Sequence, residues 1–211
     1  MTNTELSTFD RIAAPYDRGM APLERFWLRR MRRKLLSHAW GRVLEIGVGT
    51  GANLPFYPPA TYVMAVDESV DMLKVATNRA GVLQRPVRFG QVDAEHLAFP
   101  AASFDTVLAS LVLCSVVDQR VALRELWRVL HKPAGKLLLL EHMRPQPRPL
   151  AWMVDLANIS WYGFNGRCNL NRRTQQAVEE NGFRVEKVDA ALGGFFRLIV
   201  AEVCLLYTSD A

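Results

Sequence analysis

Glu45-Ile46-Gly47-Val48-Gly49-Thr50-Gly51-Ala52 sets three closely spaced glycines behind a carboxylate. Glycine adopts turns closed to other residues and lets the backbone come close to a ligand. The segment satisfies the G-x-G-x-x-G/A dinucleotide fingerprint, and Asp67 follows at about the distance of a ribose-binding acid. Glu45 points to a different ligand. It stands two residues before the first glycine, where a dinucleotide fold carries an apolar core residue, and a buried carboxylate without a partner costs several kcal/mol. A cationic ligand supplies that partner, and the amino group of S-adenosylmethionine, reached directly or through water, is such a cation. Asp67 ends an apolar run where a ribose diol can donate two hydrogen bonds to one carboxylate. Asp93, followed by Ala94, ends the next run, where a carboxylate could accept from an adenine amino group. Three acids at three successive strand ends would line one crevice, which favours S-adenosylmethionine over a nicotinamide dinucleotide.

A sulfonium methyl group is transferred by displacement, so rate comes largely from aligning acceptor and methyl at close range. A base matters only when the acceptor loses a proton, as a thiol, phenol or carbon acid does. His142, beside Glu141, is the best-placed titratable group, and its ordinary pKa suits proton removal near neutrality; a structural hydrogen bond is the other role open to it. Cys114 reads as a small buried hydrophobe. Cys114, Cys168 and Cys204 stand far apart with no paired spacing, so neither a disulfide framework nor a metal site is expected.

The elements that must position these groups alternate along the chain. Residues 5–39 read as helical, broken near Pro15 and Pro22. Val43–Ile46 is a strand entering the glycine loop, and the helix after it is brief because Pro55, Pro58 and Pro59 interrupt the chain. Residues 62–66 form a second strand ending on Asp67. Ser69 caps a helix reaching Ala80, with Met72, Leu73, Val75 and Ala76 available to the core. Strands follow at 87–92, 104–110 and 136–140, with a helix at 119–130 between the last two. After Glu141 a stretch rich in proline and arginine leads to an apolar segment, a helix near 173–180, and strands at 184–188 and 198–203. Such alternation implies an α/β fold, a mostly parallel sheet with helices on both faces, which binds ligands at the carboxyl ends of its strands.

The 211 residues suit one domain, expected over 1–204, and composition is that of an ordinary globular chain, with 50% hydrophobic and 22% charged residues. No apolar run reaches the roughly 18 residues of a membrane span. The start lacks the features of a signal peptide, so a cytoplasmic protein is expected. The net charge is +5, and the basic residues crowd one segment, 22–36, where Arg25, Arg29, Arg30, Arg32, Arg33 and Lys34 alternate with Phe26, Trp27, Leu28 and Met31. This basic, aromatic-bearing helix is expected to touch an anionic membrane peripherally. Nucleic acid is not an expected partner, because the arginines lack a stacking platform for single strands. Residues 205–211 look like a foreign tail.

Together these residues resemble the class I S-adenosylmethionine-dependent methyltransferases over about residues 10–203. Val43–Asn53, Val66–Ser69 with Met72-Leu73, Val92–Ala94, Phe99-Pro100 with Ser103–Asp105, Leu123–Glu125 with Arg128–Leu130, and Glu141-His142 carry the resemblance. Leu111–Val116, Leu140–His142 and Gly166–Leu170 are most similar to the methyltransferase-like alkyl thiol methyltransferases, with quinone-pathway and phospholipid methyltransferases less close. The resemblance implies a Rossmann-like seven-stranded sheet with the last strand antiparallel. It also implies a cofactor site that includes Glu68, Met72 and Leu111 beside Glu45, Gly47, Gly49, Gly51, Asp67, Asp93 and Ala94. Tyr16, in a lid over the cofactor, joins His142 as a candidate catalytic residue. Two departures stand out: Ala134-Gly135 where two glycines are usual, and a basic helix in place of the apolar anchor of the animal enzymes. The expected reaction is methylation of a hydrophobic small molecule, a thiol first, releasing S-adenosylhomocysteine. Trp152, Ile159, Trp161, Tyr162 and Phe164 suit an apolar acceptor, although core packing would use them equally well. Phospholipid N-methylation or quinone-precursor C-methylation at a membrane is the alternative, with RNA methylation or cofactor binding without turnover more remote.

Overall fold

Thr106-Val107-Leu108-Ala109 and Leu137–Leu140 are buried on both faces, the pattern of central strands in a parallel sheet. A computed structural model describes residues 24–165 and 167–204 and places these runs in a seven-stranded sheet. The strands are β1 (Arg42–Ile46), β2 (Tyr62–Asp67), β3 (Val87–Gln91), β4 (Thr106–Ser110), β5 (Lys136–His142), β6 (Phe183–Ala191) and β7 (Phe196–Val203), in the order β3-β2-β1-β4-β5-β7-β6. β7 pairs antiparallel with both β5 and β6, and the pairings among β1 to β5 are parallel. Strand order therefore reverses between β1 and β4, which opens a crevice at their carboxyl ends.

Period-two alternation divides the core. Leu44, Ile46, Val107, Ala109, Leu137 and Leu139 face the layer that includes α3 (Gln119–Val129) and α5 (Thr174–Glu180). Val43, Leu108, Leu138 and Leu140 face the layer with α1 (Arg29–Leu36) and α2 (Val70–Val82). Ser69 caps α2 as expected, its hydroxyl accepting from the Met72 amide at 3.2 Å. The loop after β1 makes only the 3-10 turn Leu54–Phe56, as its prolines require.

Three features differ from the sequence reading. α1 turns Leu28, Met31, Leu35 and Leu36 into the core, and the Trp27 ring packs edge-on against Phe196 at 4.7 Å. Its apolar side is thus taken up internally, leaving an outward face of Arg29, Arg30, Arg33 and Lys34. The segment after Pro147, read only as an apolar stretch, is the 18-residue helix α4 (Arg148–Asn165). Pro149 sits in its first turn, where a missing N–H costs nothing. α4 also carries its polarity inside out. Asp155 pairs with Arg144 at 2.8 Å and Asn158 accepts from the Leu170 amide at 2.6 Å, while Trp152, Met153, Leu156 and Ile159 are exposed. Core packing therefore does not account for these apolar residues. The expected lid with Tyr16 and the tail 205–211 lie outside the described residues.

Candidate cofactor cleft and its acceptor side

The glycine loop leaves β1 with Gly47 and Gly49 at φ +58° and +53°, a region that favours glycine. The Gly49 amide donates to Asp67 Oδ2 at 2.8 Å, and the Ser69 amide donates to Asp67 Oδ1 at 2.9 Å. One carboxylate at the end of β2 thus ties the loop to the start of α2. A side chain at Gly49 would meet no protein atom within 4 Å, so this stretch of backbone faces open space.

That space is a cleft of about 310 Å³, near the lower end for small-molecule sites. Gly47, Gly49, Asp67, Glu68, Met72 and Asp93 line it, and Ala94 and Leu111 complete the set of expected residues on its wall. Glu68 forms an ion pair with Arg167, another wall residue, from the loop after α4. Asp93, more than half exposed, accepts from the Glu95 amide at 2.9 Å.

Glu45, Gly51 and His142 are not on the wall, against expectation. Gly51 closes the loop from behind, its amide donating to the Val48 carbonyl at 3.0 Å. Glu45 is 1% exposed and already has partners: Asn53 Nδ2 and the Tyr57 hydroxyl each donate to it at 2.7 Å. Arg32 Nη1 donates to Asn53 Oδ1 at 2.8 Å, and the other end of the guanidinium pairs with Glu24 at 2.6 Å. A ligand cation is therefore not the sole compensation for the buried acid. Burial pushes Glu45 up to about 7, against the pull of the Tyr57 and Asn53 hydrogen bonds and the Arg32 charge. Asn53 and Arg32 themselves reach the cleft. Arg32 was legible, since it lies four residues from both Leu28 and Leu36 on the apolar stripe of α1, where a solvated arginine does not belong.

Beyond β4, Leu111 takes φ +61°, a strained conformation for a branched side chain. The loop is fixed by Glu141, whose Oε1 accepts from the Val112 and Leu113 amides at 2.8 and 3.0 Å. Burial pushes this acid up to about 6, opposed by those amides and by His142. Spacing gave no sign of the clamp, because its two halves are 29 residues apart.

The same loop carries Cys114, buried, with its sulfur 3.8 Å from that of Cys168. Cys168 Sγ lies 3.2 Å from His142 Nε2, so two cysteines read as unrelated share one site. Sharing a hydrogen bond pushes the Cys114 thiol up and the Cys168 thiol down, and the His142 contact lowers Cys168 further. His142 stacks on Phe195 at 5.5 Å between centroids. It faces a sulfur, not the cleft. Ser115 and Arg167, the neighbours of the two cysteines, both line the cleft.

Glycine loop, strand-end acids and sheet order give this domain the class I methyltransferase fold, and its match to a methyltransferase domain family implies S-adenosylmethionine as its cofactor. Residues 44–139 match the family model described as a methyltransferase domain. The fold is that of an S-adenosylmethionine-dependent methyltransferase from Thermotoga maritima, with a TM-score of 0.71 at 23% identity, covering 93% of this chain and 98% of that one. Among curated relatives, the chain is 38% identical over 149 residues to the thiol S-methyltransferase TMT1B of Rattus norvegicus, covering 67% of this chain and 59% of that protein. It is 36% identical over 126 residues to the demethylmenaquinone methyltransferase of Deinococcus radiodurans, covering 58% and 52% respectively. The chain thus spans between half and two thirds of the length of these relatives.

Proposed function

We propose that this domain transfers the methyl group of S-adenosylmethionine to a hydrophobic small molecule, and that the acceptor is a thiol. The carrying observation is spatial. The three segments most similar to thiol methyltransferases are distant in sequence, and their described residues, 111–116, 140–142 and 167–170, adjoin one another beside the cleft. The exposed apolar face of α4, which precedes Cys168, suits an apolar acceptor.

The residues present fit the cofactor. Gly49 leaves open space for its methionine part against the loop, Gly47 makes room for Val112 on the same wall, and Asp67 at the end of β2 is placed for a ribose diol. Asp93 and the Ala94 backbone face the position for adenine. Glu45 acts through Asn53 on the amino group, and Arg32 supplies a cation for the carboxylate. The bound cofactor provides an electrophilic methyl on a sulfonium. The chain aligns the acceptor and excludes water, and His142, turned toward Cys168 Sγ, does not touch the substrate. Tyr16 remains a proposed lid residue, and the basic face of α1 a proposed contact with anionic membrane.

Incubating the protein with methyl-labelled cofactor and a panel of alkyl thiol, aryl thiol, demethylated quinol and phosphatidylethanolamine tests this reading. Labelled thioether is the expected product. Label only in the quinol would favour the second reading, which the Deinococcus radiodurans relative supports. Label only in protein or RNA overturns both.

A further inference from the structure

Cys114, His142 and Cys168 come from the loop after β4, the end of β5 and the loop after α4. Their three ligand atoms lie within 4.8 Å of one another. The Cys114–Cys168 and Cys168–His142 separations are 3.8 and 3.2 Å. Around a tetrahedral zinc ion with Zn–S near 2.3 Å and Zn–N near 2.1 Å, adjacent ligand atoms stand about 3.5 to 3.8 Å apart. The sulfur–sulfur edge matches that geometry and the sulfur–nitrogen edge is shorter than it by about 0.4 Å, so a small turn of the imidazole admits the ion, and two thiols with an imidazole are a donor set that selects a borderline-soft cation.

We infer that Cys114, Cys168 and His142 form a three-ligand site for a zinc-type cation whose open fourth position receives the sulfur of a thiol acceptor. Burial gives the direction of the opening. Cys114 and His142 are buried and Cys168 is half-buried, while Ser115 and Arg167, flanking the two cysteines, belong to the cofactor cleft. Three protein ligands and an open position is the arrangement of a catalytic metal site, not a structural one. The cation would hold three thiolates without changing oxidation state, as each ligating thiol releases its proton to solvent. In transfer, an electron pair on the acceptor sulfur forms the new S–CH3 bond. The pair of the broken sulfonium C–S bond stays on the homocysteine sulfur, and the neutral thioether, a weak ligand, departs.

The fourth-position claim rests on the thiol reading above; the three-residue site does not. Cobalt(II) titration of the full chain, kept reduced with a phosphine, tests the site. One equivalent is expected, with sulfur-to-metal charge-transfer bands in the near ultraviolet and strong tetrahedral bands in the visible, both lost when zinc displaces the cobalt. Cys114→Ser and Cys168→Ser should each weaken binding by more than the roughly 10- to 100-fold that loss of a supporting residue costs, and Cys204→Ser should not. Adding an alkyl thiol should shift the visible bands. Failure to bind cobalt in stoichiometric amount, binding insensitive to Cys168→Ser, or a Cys114–Cys168 disulfide that persists under reduction each overturns the inference. Competition against a chromophoric chelator on the unmodified protein decides the matter if a serine variant does not fold. Thiol methylation undiminished after chelation overturns the metal's role and leaves the thiol reading standing. Cobalt bound at these residues with no thiol methylated upholds the site and overturns the thiol reading and the fourth ligand.

Discussion

Glu45 and Gly49 serve one loop by opposite means. Glu45 is deep behind Asn53, so Glu45→Gln removes a charge that reaches the ligand through one amide. Hydrogen bonds to charged groups contribute about 1.5–3 kcal/mol, so S-adenosylhomocysteine should bind roughly 10- to 100-fold more weakly by calorimetry. Gly49 acts by having no side chain. Gly49→Ala places a methyl group in the cleft at φ +53°, at a backbone cost of about 1–3 kcal/mol. The variant should fold, with an intact far-ultraviolet spectrum, and lose cofactor binding; wild-type affinity would show that the cofactor lies elsewhere.

At the scale of elements, the start of α2 matters because Met72 and Glu68 flank the cleft. Ser69→Ala removes the cap and should lower unfolding free energy by about 1 kcal/mol in urea titration. In the proposed function the exposed apolar face of α4 receives the acceptor. Ile159 is 72% exposed, so Ile159→Glu should change stability by no more than about 0.5 kcal/mol. It should nevertheless raise KM for long-chain thiols while leaving KM for short ones alone. An equal effect on both would detach the α4 face from acceptor recognition.

For the whole molecule, the two buried acids govern pH dependence. Glu45 and Glu141 are raised from an ordinary 4.5 to about 7 and about 6, so the folded protein holds their protons more tightly than the unfolded chain does. Their contribution is fully present below pH 4.5 and is lost as pH rises through 6 to 7. Chemical denaturation at a series of pH values should show Glu45→Gln losing less stability than wild type between pH 5 and 8. An equal loss in the two proteins would mean that Glu45 is ionised throughout that range. A bound cation partner reverses the preference, so cofactor binding should release protons near neutral pH.

Local pattern determined much of this protein. Continuous apolar runs fix the central strands, prolines shorten the turn after β1, and Ser69 starts α2, because each depends on neighbours a few residues away. Glu45, Asp67 and Asp93, at three successive strand ends, likewise pointed together to the cofactor. α4 escaped because its apolar residues are spread around the helix, so no strong 3.6-residue period marks it. Asn53, the Glu141 clamp and the cysteine pair were decided only by tertiary structure. Parallel crossovers gather the carboxyl ends of β4 and β5 and the loop after α4 at one end of the sheet, and no spacing along the chain encodes that Cys114, His142 and Cys168 meet there.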